Sequence, residues 1–174
     1  MKFNPMTPET ASGNAQQILT NIQQAFGRVP NVYGNMAHSP GVLAGHLEFD
    51  SKIKAGSLDA TLVEKIALCV SAMNGCEYCQ RAHFVVGKMS GIDADEMNKN
   101  LAGKSGNEKD QLALNIAREI VANKGKLTDE LASAAAGLFS LEQLVDIYAV
   151  TMNTIFTNYF NHYADTEIDF PEIP

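Results

Sequence analysis

The chain has 174 residues, 45% of them hydrophobic, and this length and composition predict one globular domain spanning residues 1–174. The formal net charge of −7 argues against a nucleic acid or an anionic membrane surface as the partner, because both are negatively charged. No run approaches the roughly 18 apolar residues of a membrane span, and the start, MKFNPMTPET, lacks the apolar segment of an export signal. Three cysteines, an odd number, do not fit the disulfide framework of a secreted protein. We therefore expect a protein of the reducing cytoplasm, where a CxxC motif is more often catalytic or metal-binding than structural.

Apolar residues recur at helical spacing along the whole chain, and no segment shows the sustained alternation typical of a strand. Gly27 and Pro30 break the pattern within GRVPN, and an acidic, proline-containing tail follows Ala164. The predicted helices cover about residues 8–26, 40–55, 59–73, 76–89, 93–101, 107–123 and 141–162, with a further helix opening in LTDE at 127–130. The predicted fold class is therefore all-α, a multi-helix bundle.

The stretch NGCEYCQRAH, residues 74–83, gathers two cysteines and one histidine. Its Asn-Gly pair predicts the end of one helix, so that Cys76 opens the next. At about 100° per residue, Cys76, Cys79 and His83 then lie within about 60° of one another on one helix face. The unpaired N–H groups of the first turn favour a thiolate, and a histidine one turn away can move a proton. This stripe supplies a nucleophilic thiol, a second thiol that can form a disulfide with it, and an acid–base group.

Two other interpretations of this stripe stay open on the residues alone. A zinc ion would accept its three side chains with Glu64 as a fourth ligand, although no second CxxC or HxxxH completes a structural site. The other alternative is an inert pair of core cysteines. The third cysteine, Cys69 in IALCVSAM, is expected to be a packed core thiol.

Glu64 lies twelve residues before Cys76, in a predicted helix that is otherwise almost entirely apolar. Partial burial would raise the pKa of this carboxyl group and suit it to proton transfer. Its spacing of three residues from Thr61 also fits a capping box, so the sequence leaves both roles open. His162, near the end of the last predicted helix, is expected to interact with the helix dipole.

The pattern E-x11-C-x2-C-x3-H, which runs from Glu64 to His83, resembles the signature of the AhpD-like alkylhydroperoxidases in the carboxymuconolactone decarboxylase superfamily. The resemblance covers about residues 20–171 and implies an all-helical fold that assembles into homo-oligomers. Three further segments are similar to parts of that family: FGRVPN at 26–31, SP at 39–40 and NYFNHYADTEIDFP at 158–171.

The resemblance also implies roles for the site residues. Cys79 would attack a peroxide and become a sulfenic acid, and Cys76 would be the resolving thiol and proton donor. Glu64 and His83 would form a proton relay, directly or through water. The chain departs from the family at Tyr78, where well-known members carry a relay histidine; a phenol of pKa about 10 is a poor proton shuttle at neutral pH.

The sequence thus predicts a thiol peroxidase that holds no cofactor and uses a hydroperoxide as substrate. An external dithiol must supply the electrons, because the chain has no nucleotide-binding motif such as GxGxxG; the resemblance implies a thioredoxin-like or lipoyl-like donor. General thiol–disulfide exchange, a metal-binding or redox-sensing role, and cofactor-free lactone decarboxylation are the alternatives. The decarboxylases of the superfamily do not rely on a cysteine pair, so the CxxC argues against the last of these.

Overall fold

The computed structural model describes all 174 residues, which form nine α-helices and no strand, and the predicted all-α class is confirmed. None of these helices combines the length and apolar character that crossing a membrane requires. In chain order the helices are α1 (Gly13–Phe26), α2 (Asn31–Met36), α3 (Pro40–Lys54), α4 (Ala60–Met73), α5 (Glu77–Met89), α6 (Ala94–Leu101), α7 (Glu108–Ala122), α8 (Asp129–Leu138) and α9 (Leu141–Ala164).

Most predicted helices lie within a few residues of the observed ones, because their ends carry strong local signals. The spacing of Ser140 and Gln143 in the sequence predicts a capping box at the start of α9, and it is confirmed: the Ser140 side chain accepts from the backbone of Gln143, whose side chain accepts from the backbone of Ser140. The prediction that the first helix starts near residue 8 is wrong, since α1 begins at Gly13 after an extended Ser12. The sequence also missed α2, whose 6 residues after Pro30 are too few to show a helical repeat.

Helix α4 is the centre of the fold and packs against α5, α6, α7 and α9. Nine of its 14 residues are buried, which accounts for its apolar sequence. One core cluster surrounds α4, α7, α8 and α9 and includes Cys69. A second cluster joins the N-terminal helices α1–α3 to the start of α5 and includes Cys76 and Cys79. The CxxC cysteines therefore occupy a different part of the core from Cys69.

The C-terminal tail after α9 is irregular, as predicted, and packs against the loop between α1 and α2. Asp169 Oδ2 accepts a hydrogen bond from the Arg28 guanidinium at 2.6 Å. That guanidinium lies over the ring of Phe170, 4.5 Å from its centroid. Phe170 in turn meets the Tyr78 ring edge to face, with centroids 5.4 Å apart. The C-terminal tail and the loop between α1 and α2 are thus held together over the start of α5.

Candidate active site

A tight turn between α4 and α5 places Cys76 at the start of α5. The N–H of Gly75 donates to the carbonyl of Ala72 at 3.1 Å and the N–H of Cys76 to that of Ser71 at 2.9 Å, the hydrogen-bond pair of a Schellman motif. Gly75 has a φ of 66°, in the left-handed region that glycine adopts without strain. Cys76 is the N-cap of α5 and Cys79 lies in its first turn, so the predicted position of both cysteines is confirmed.

The two thiols of the CxxC motif are in direct contact, with their sulfur atoms 2.6 Å apart and no disulfide between them. Both residues are buried, with exposed fractions of 1% for Cys76 and 3% for Cys79. The sulfur of Cys76 also accepts a hydrogen bond from the backbone N–H of Cys79 at 3.4 Å. The thiols are therefore positioned to exchange a proton and to join in a disulfide.

Contact between the two thiols shifts their pKa values in opposite directions. The pKa of Cys76 is lowered, first by the hydrogen bond between the two thiol groups, against the opposing effect of burial. The pKa of Cys79 is raised, first by that same hydrogen bond and then by burial. The pair as a whole therefore gives up one proton more readily than a free cysteine and holds the second one tightly. Because the sulfurs touch, the remaining proton can move between them, and either sulfur can carry the negative charge.

Glu64 and His83 form a hydrogen-bonded pair, with Glu64 Oε2 2.8 Å from His83 Nδ1. Glu64 is buried at 4% exposure, whereas His83 is only half-buried and reaches solvent. The carboxylate acceptor fixes the hydrogen of a neutral imidazole on Nδ1 and leaves Nε2 free to take up a proton. The pKa of Cys76 is lowered first by its hydrogen bond with Cys79, and a positive charge on His83 adds a smaller lowering effect.

The capping-box interpretation of Glu64 is wrong. Asp59 is the N-cap of α4 and accepts hydrogen bonds from the backbone N–H of Leu62 at 2.9 Å and from the hydroxyl of Thr61 at 2.6 Å. The helix start is therefore satisfied without Glu64, whose side chain bonds to His83 on α5 instead.

Two asparagines of α9 complete the polar surroundings of the thiols, and the sequence did not single them out. Asn161 Nδ2 donates to the sulfur of Cys79 at 3.2 Å. Asn158 donates to Ser71 Oγ at 3.2 Å and accepts from Asn74 at 2.9 Å, which ties α9 to the turn before Cys76. Both asparagines are buried. The available signal was their spacing of three residues within one predicted helix, in NYFN.

Tyr78 takes part in the packing between α2, α5 and the tail. Its hydroxyl accepts a hydrogen bond from the backbone N–H of Val32 at 3.2 Å. Burial raises the pKa of the phenol further above its ordinary value, so Tyr78 stays protonated and neutral. It therefore stands at the family's histidine position without a hydrogen bond to Glu64 or His83.

The other candidates lie outside this constellation. Cys69 is buried among apolar side chains, and burial raises the pKa of its thiol to about 11, which agrees with its expected role as a core residue. His162 is exposed in the last turn of α9. No three side chains among Cys, His, Asp and Glu come together in an arrangement that holds a metal ion, which weakens the zinc interpretation of the CxxC stripe.

Comparison with known proteins finds one matching protein family and several solved structures with a similar fold. Residues 40–119, which contain Glu64, the CxxC cysteines and His83, match the model of the Carboxymuconolactone decarboxylase family. No curated protein sequence matches the chain.

Several solved structures share the fold over almost the whole chain. A peroxidase-related protein with an alkylhydroperoxidase AhpD core, from Ralstonia eutropha JMP134, is 19% identical with a TM-score of 0.86 and covers 97% of this chain and 92% of its own. A peroxidase-related protein from Silicibacter sp. TM1040 is 20% identical with a TM-score of 0.79, covering 95% and 87%. The debrominase Bmp8, as a cysteine-to-alanine variant in complex with 2,3,4-tribromopyrrole, is 20% identical with a TM-score of 0.82, covering 97% and 94%.

Proposed function

We propose that this chain, whose residues 40–119 match the carboxymuconolactone decarboxylase family and whose fold is AhpD-like, is a thiol-dependent peroxidase. The observation that carries the proposal is the contact of two buried thiols at the start of α5, the helix that also carries His83 with its partner Glu64. A thiolate is the form of cysteine that attacks a peroxide, and this pair loses its first proton more readily than a free cysteine does. The fold is one that peroxidase-related proteins also have.

The proposed reaction begins with the Cys79 thiolate, the attacking residue in related alkylhydroperoxidases. Its sulfur attacks the terminal oxygen of a hydroperoxide, the O–O bond breaks, and the alkoxide leaves with a proton as an alcohol. Cys79 is now a sulfenic acid. The thiol of Cys76 attacks that sulfur, a disulfide forms, and water leaves. The contact between the two sulfurs supports this order because no rearrangement of the helix is needed to bring them together.

Protons for the leaving alkoxide and hydroxide come from the Glu64–His83 pair in this proposal. The free Nε2 of His83 exchanges a proton with the site, while the buried carboxylate of Glu64 holds the ring and stabilises the imidazolium that forms. Since His83 is partly exposed, the pair can recover its proton from solvent. This places acid–base chemistry next to the thiols without Tyr78.

An external dithiol completes the cycle by reducing the Cys76–Cys79 disulfide through a mixed disulfide. We propose a thioredoxin-like or lipoyl-like donor, as the family resemblance implies, together with a homo-oligomeric assembly. The donor must reach a sulfur that is buried in the reduced protein, so steady-state turnover with a dithiol also depends on its access to the pair.

Reductive dehalogenation is a second candidate, favoured by the similarity to the debrominase Bmp8. The same dithiol would supply two electrons: the carbon–bromine bond of a bromopyrrole breaks, hydrogen takes the place of bromine, bromide leaves, and the two thiols become a disulfide. General thiol–disulfide exchange without either substrate is the simpler alternative. All three reactions end in the same oxidised pair, so the substrate has to distinguish them.

The deciding experiment is mass spectrometry of the alkylated protein after one equivalent of cumene hydroperoxide. We expect a loss of two hydrogens, a Cys76–Cys79 linkage in the peptide map, and a sulfenic acid on Cys79 that dimedone traps when Cys76→Ser removes the resolving thiol. The matched control is Cys69→Ser, which changes a cysteine outside the pair and should leave peroxide consumption unchanged.

Three outcomes separate the candidates. Steady-state peroxide consumption with a dithiol, lost in Cys79→Ser, supports the peroxidase. Bromide release from a tribromopyrrole with no peroxide turnover identifies the dehalogenase. Unreacted thiols in the wild type after peroxide treatment reject the peroxidase reaction.

A further inference from the structure

A cavity between α3 and α9 lies apart from the residues of the proposed reaction. Its volume is about 320 Å³, and none of its lining residues is Glu64, His83 or a cysteine. A protein cavity of about 150 Å³ can hold benzene, so this space can take a molecule of one or two rings. The apolar part of its lining consists of Val42, Phe49, Met152 and Phe156.

Two glycines of α3 leave this space open. Gly41 and Gly45 are four residues apart, so they lie on the same face of the helix, and both line the cavity. A Cβ atom placed on either residue would meet no other atom within 4 Å. Glycine inside a helix is less stable than alanine, and here no close packing contact compensates for it. The two glycines therefore keep a hollow that almost any other side chain would fill.

A buried imidazole lines the same cavity. His46 is only 8% exposed, and neither of its ring nitrogens forms a hydrogen bond with another residue. Its ring lies between two aromatic rings, with its centroid 6.2 Å from that of Tyr33 and 5.5 Å from that of Phe156. A buried polar group without a partner is costly, and a ligand in the cavity can supply the missing hydrogen bond.

The surroundings of His46 determine what kind of partner it needs. Burial lowers the pKa of the imidazole, against smaller opposing effects of Asp50 and Asn153. The ring is therefore neutral at pH 7, and one of its nitrogens is a hydrogen-bond acceptor. The neighbouring Asn153 amide does not satisfy this nitrogen, because it donates to Asp50 Oδ1 at 3.1 Å. The missing partner is a hydrogen-bond donor.

The charges beside the cavity are already neutralised within the protein. All four charged residues of α3 are paired with one another, Lys52 with Glu48 at 3.3 Å and Lys54 with Asp50 at 2.7 Å. A carboxylate ligand would find no free cation here, and a cationic ligand would find no free carboxylate. The cavity therefore favours an uncharged ligand.

We propose that this cavity binds a small, uncharged aromatic molecule that carries one N–H or O–H group, such as an indole or a phenol. Its ring packs against Phe49 and Phe156, which are 46% and 42% exposed and offer the apolar surface that an aromatic ring covers. Its N–H or O–H group donates to the acceptor nitrogen of His46. This binding site does not depend on the peroxidase reaction, and its test does not measure turnover.

Indole and benzofuran test the two parts of this proposal, because they have nearly the same shape and only indole has an N–H group. The chain contains no tryptophan, so the fluorescence of added indole can be followed directly, and calorimetry measures both ligands. We expect saturable binding of indole with a dissociation constant below about 1 mM. Benzofuran should bind about 3- to 10-fold more weakly, because it lacks one hydrogen bond.

A variant that fills the hollow locates the binding. Gly45→Leu places a side chain in the cavity and should abolish the binding of both ligands. The matched control is Gly137→Leu on α8, where a side chain also meets open space but lies outside the cavity, and it should bind both ligands like the wild type. Both substitutions replace a glycine within a helix, so neither should impair folding, which circular dichroism can check.

A second variant tests the hydrogen bond. His46→Phe keeps an aromatic ring against Tyr33 and Phe156 but removes both ring nitrogens, so it should lose the preference for indole over benzofuran. The absence of saturable indole binding up to about 5 mM would overturn the proposal. So would equal affinities in Gly45→Leu and Gly137→Leu, because the ligand must then bind elsewhere, or an indole preference that persists in His46→Phe.

Discussion

The side-chain amide of Asn161 donates a hydrogen bond to the sulfur of Cys79 from a position 82 residues along the chain. The carbonyl oxygen of the same amide is buried and has no hydrogen-bond partner. An N–H donor at 3.2 Å stabilises a thiolate, and the Asn161 amide acts to lower the pKa of both thiols of the pair. The last helix therefore takes part in tuning a dithiol that belongs to α5.

We expect Asn161→Ala to raise the pKa of the thiol pair and to slow its alkylation. Loss of a hydrogen bond to a thiolate raises its pKa, so the thiolate fraction at pH 7 should fall by about 3- to 10-fold. Iodoacetamide reaction rates measured against pH would show the change. Asn153→Ala is the matched control on the same helix, since Asn153 bonds to Asp50 and not to a sulfur; equal rates in the two variants would contradict the assignment.

We expect Glu64→Gln to reduce peroxide turnover by about 10- to 100-fold while the protein stays folded. Glutamine keeps the size of the side chain and an acceptor for His83 Nδ1, but it lacks the charge that stabilises an imidazolium. Steady-state peroxide consumption should fall, and thermal unfolding should confirm that the fold is retained. Glu130→Gln, at an exposed position of α8, provides the control. Full activity in Glu64→Gln would remove this carboxylate from the relay.

The free energy of unfolding should fall as pH rises from about 9 to 11. Burial raises the pKa of Cys69 from 9.0 to about 11, so within this window the unfolded chain ionises this thiol and the native protein does not. The native state then binds more protons than the unfolded state, and stability is lost with rising pH, by about 2–3 kcal/mol in all for this group. The raised pKa of Cys79 acts in the same direction.

Urea unfolding at pH 8, 9, 10 and 11 measures this slope. The Cys69→Ala variant lacks the titrating thiol and should lose less stability across the window than the wild type, whatever its stability at pH 8. Parallel curves for the two proteins would show that the Cys69 thiol does not titrate in this way.

The local parts of the site could be predicted from the sequence because they depend on the helix repeat and on one turn. The Asn74–Gly75 pair ends α4, and the spacing of Cys76, Cys79 and His83 then follows from helix geometry. These features need no knowledge of how the helices pack. The same reasoning predicted the capping box of α9 and the apolar character of α4.

The parts that depend on packing between distant helices could not be predicted. Asn161 reaches Cys79 only because α9 crosses the turn between α4 and α5, and nothing local in NYFN indicates which helix it faces. The sequence is equally consistent with Glu64 as a capping residue and as a proton-transfer residue. The structure shows that its side chain bonds to His83 on another helix, which no local pattern indicates. Exposed apolar residues of α9, among them Val145, Met152 and Tyr159, have the spacing of a core-facing helix. The sequence alone therefore does not show that this face of α9 is exposed to solvent.

The role of Tyr78 can be distinguished from that of the proposed Glu64–His83 proton relay by removing the phenol oxygen atom. Tyr78→Phe keeps the ring against Phe170 but leaves the buried N–H of Val32 without its acceptor. An unsatisfied buried donor costs about 1–3 kcal/mol, so the variant should be less stable by that amount in urea unfolding. Peroxide turnover per folded molecule should be unchanged, because the phenol makes no hydrogen bond to Glu64 or His83.

Measuring both the turnover and the stability of Tyr78→Phe distinguishes a role in proton transfer from a role in packing. A phenol that takes part in proton transfer would lower turnover in Tyr78→Phe and change its pH profile, with the effect persisting at temperatures where the variant is fully folded. A packing residue moves only the unfolding transition. We expect the second result, because the proposed proton path runs from His83 to the Cys76–Cys79 pair, while Tyr78 joins α5 to α2 and the tail.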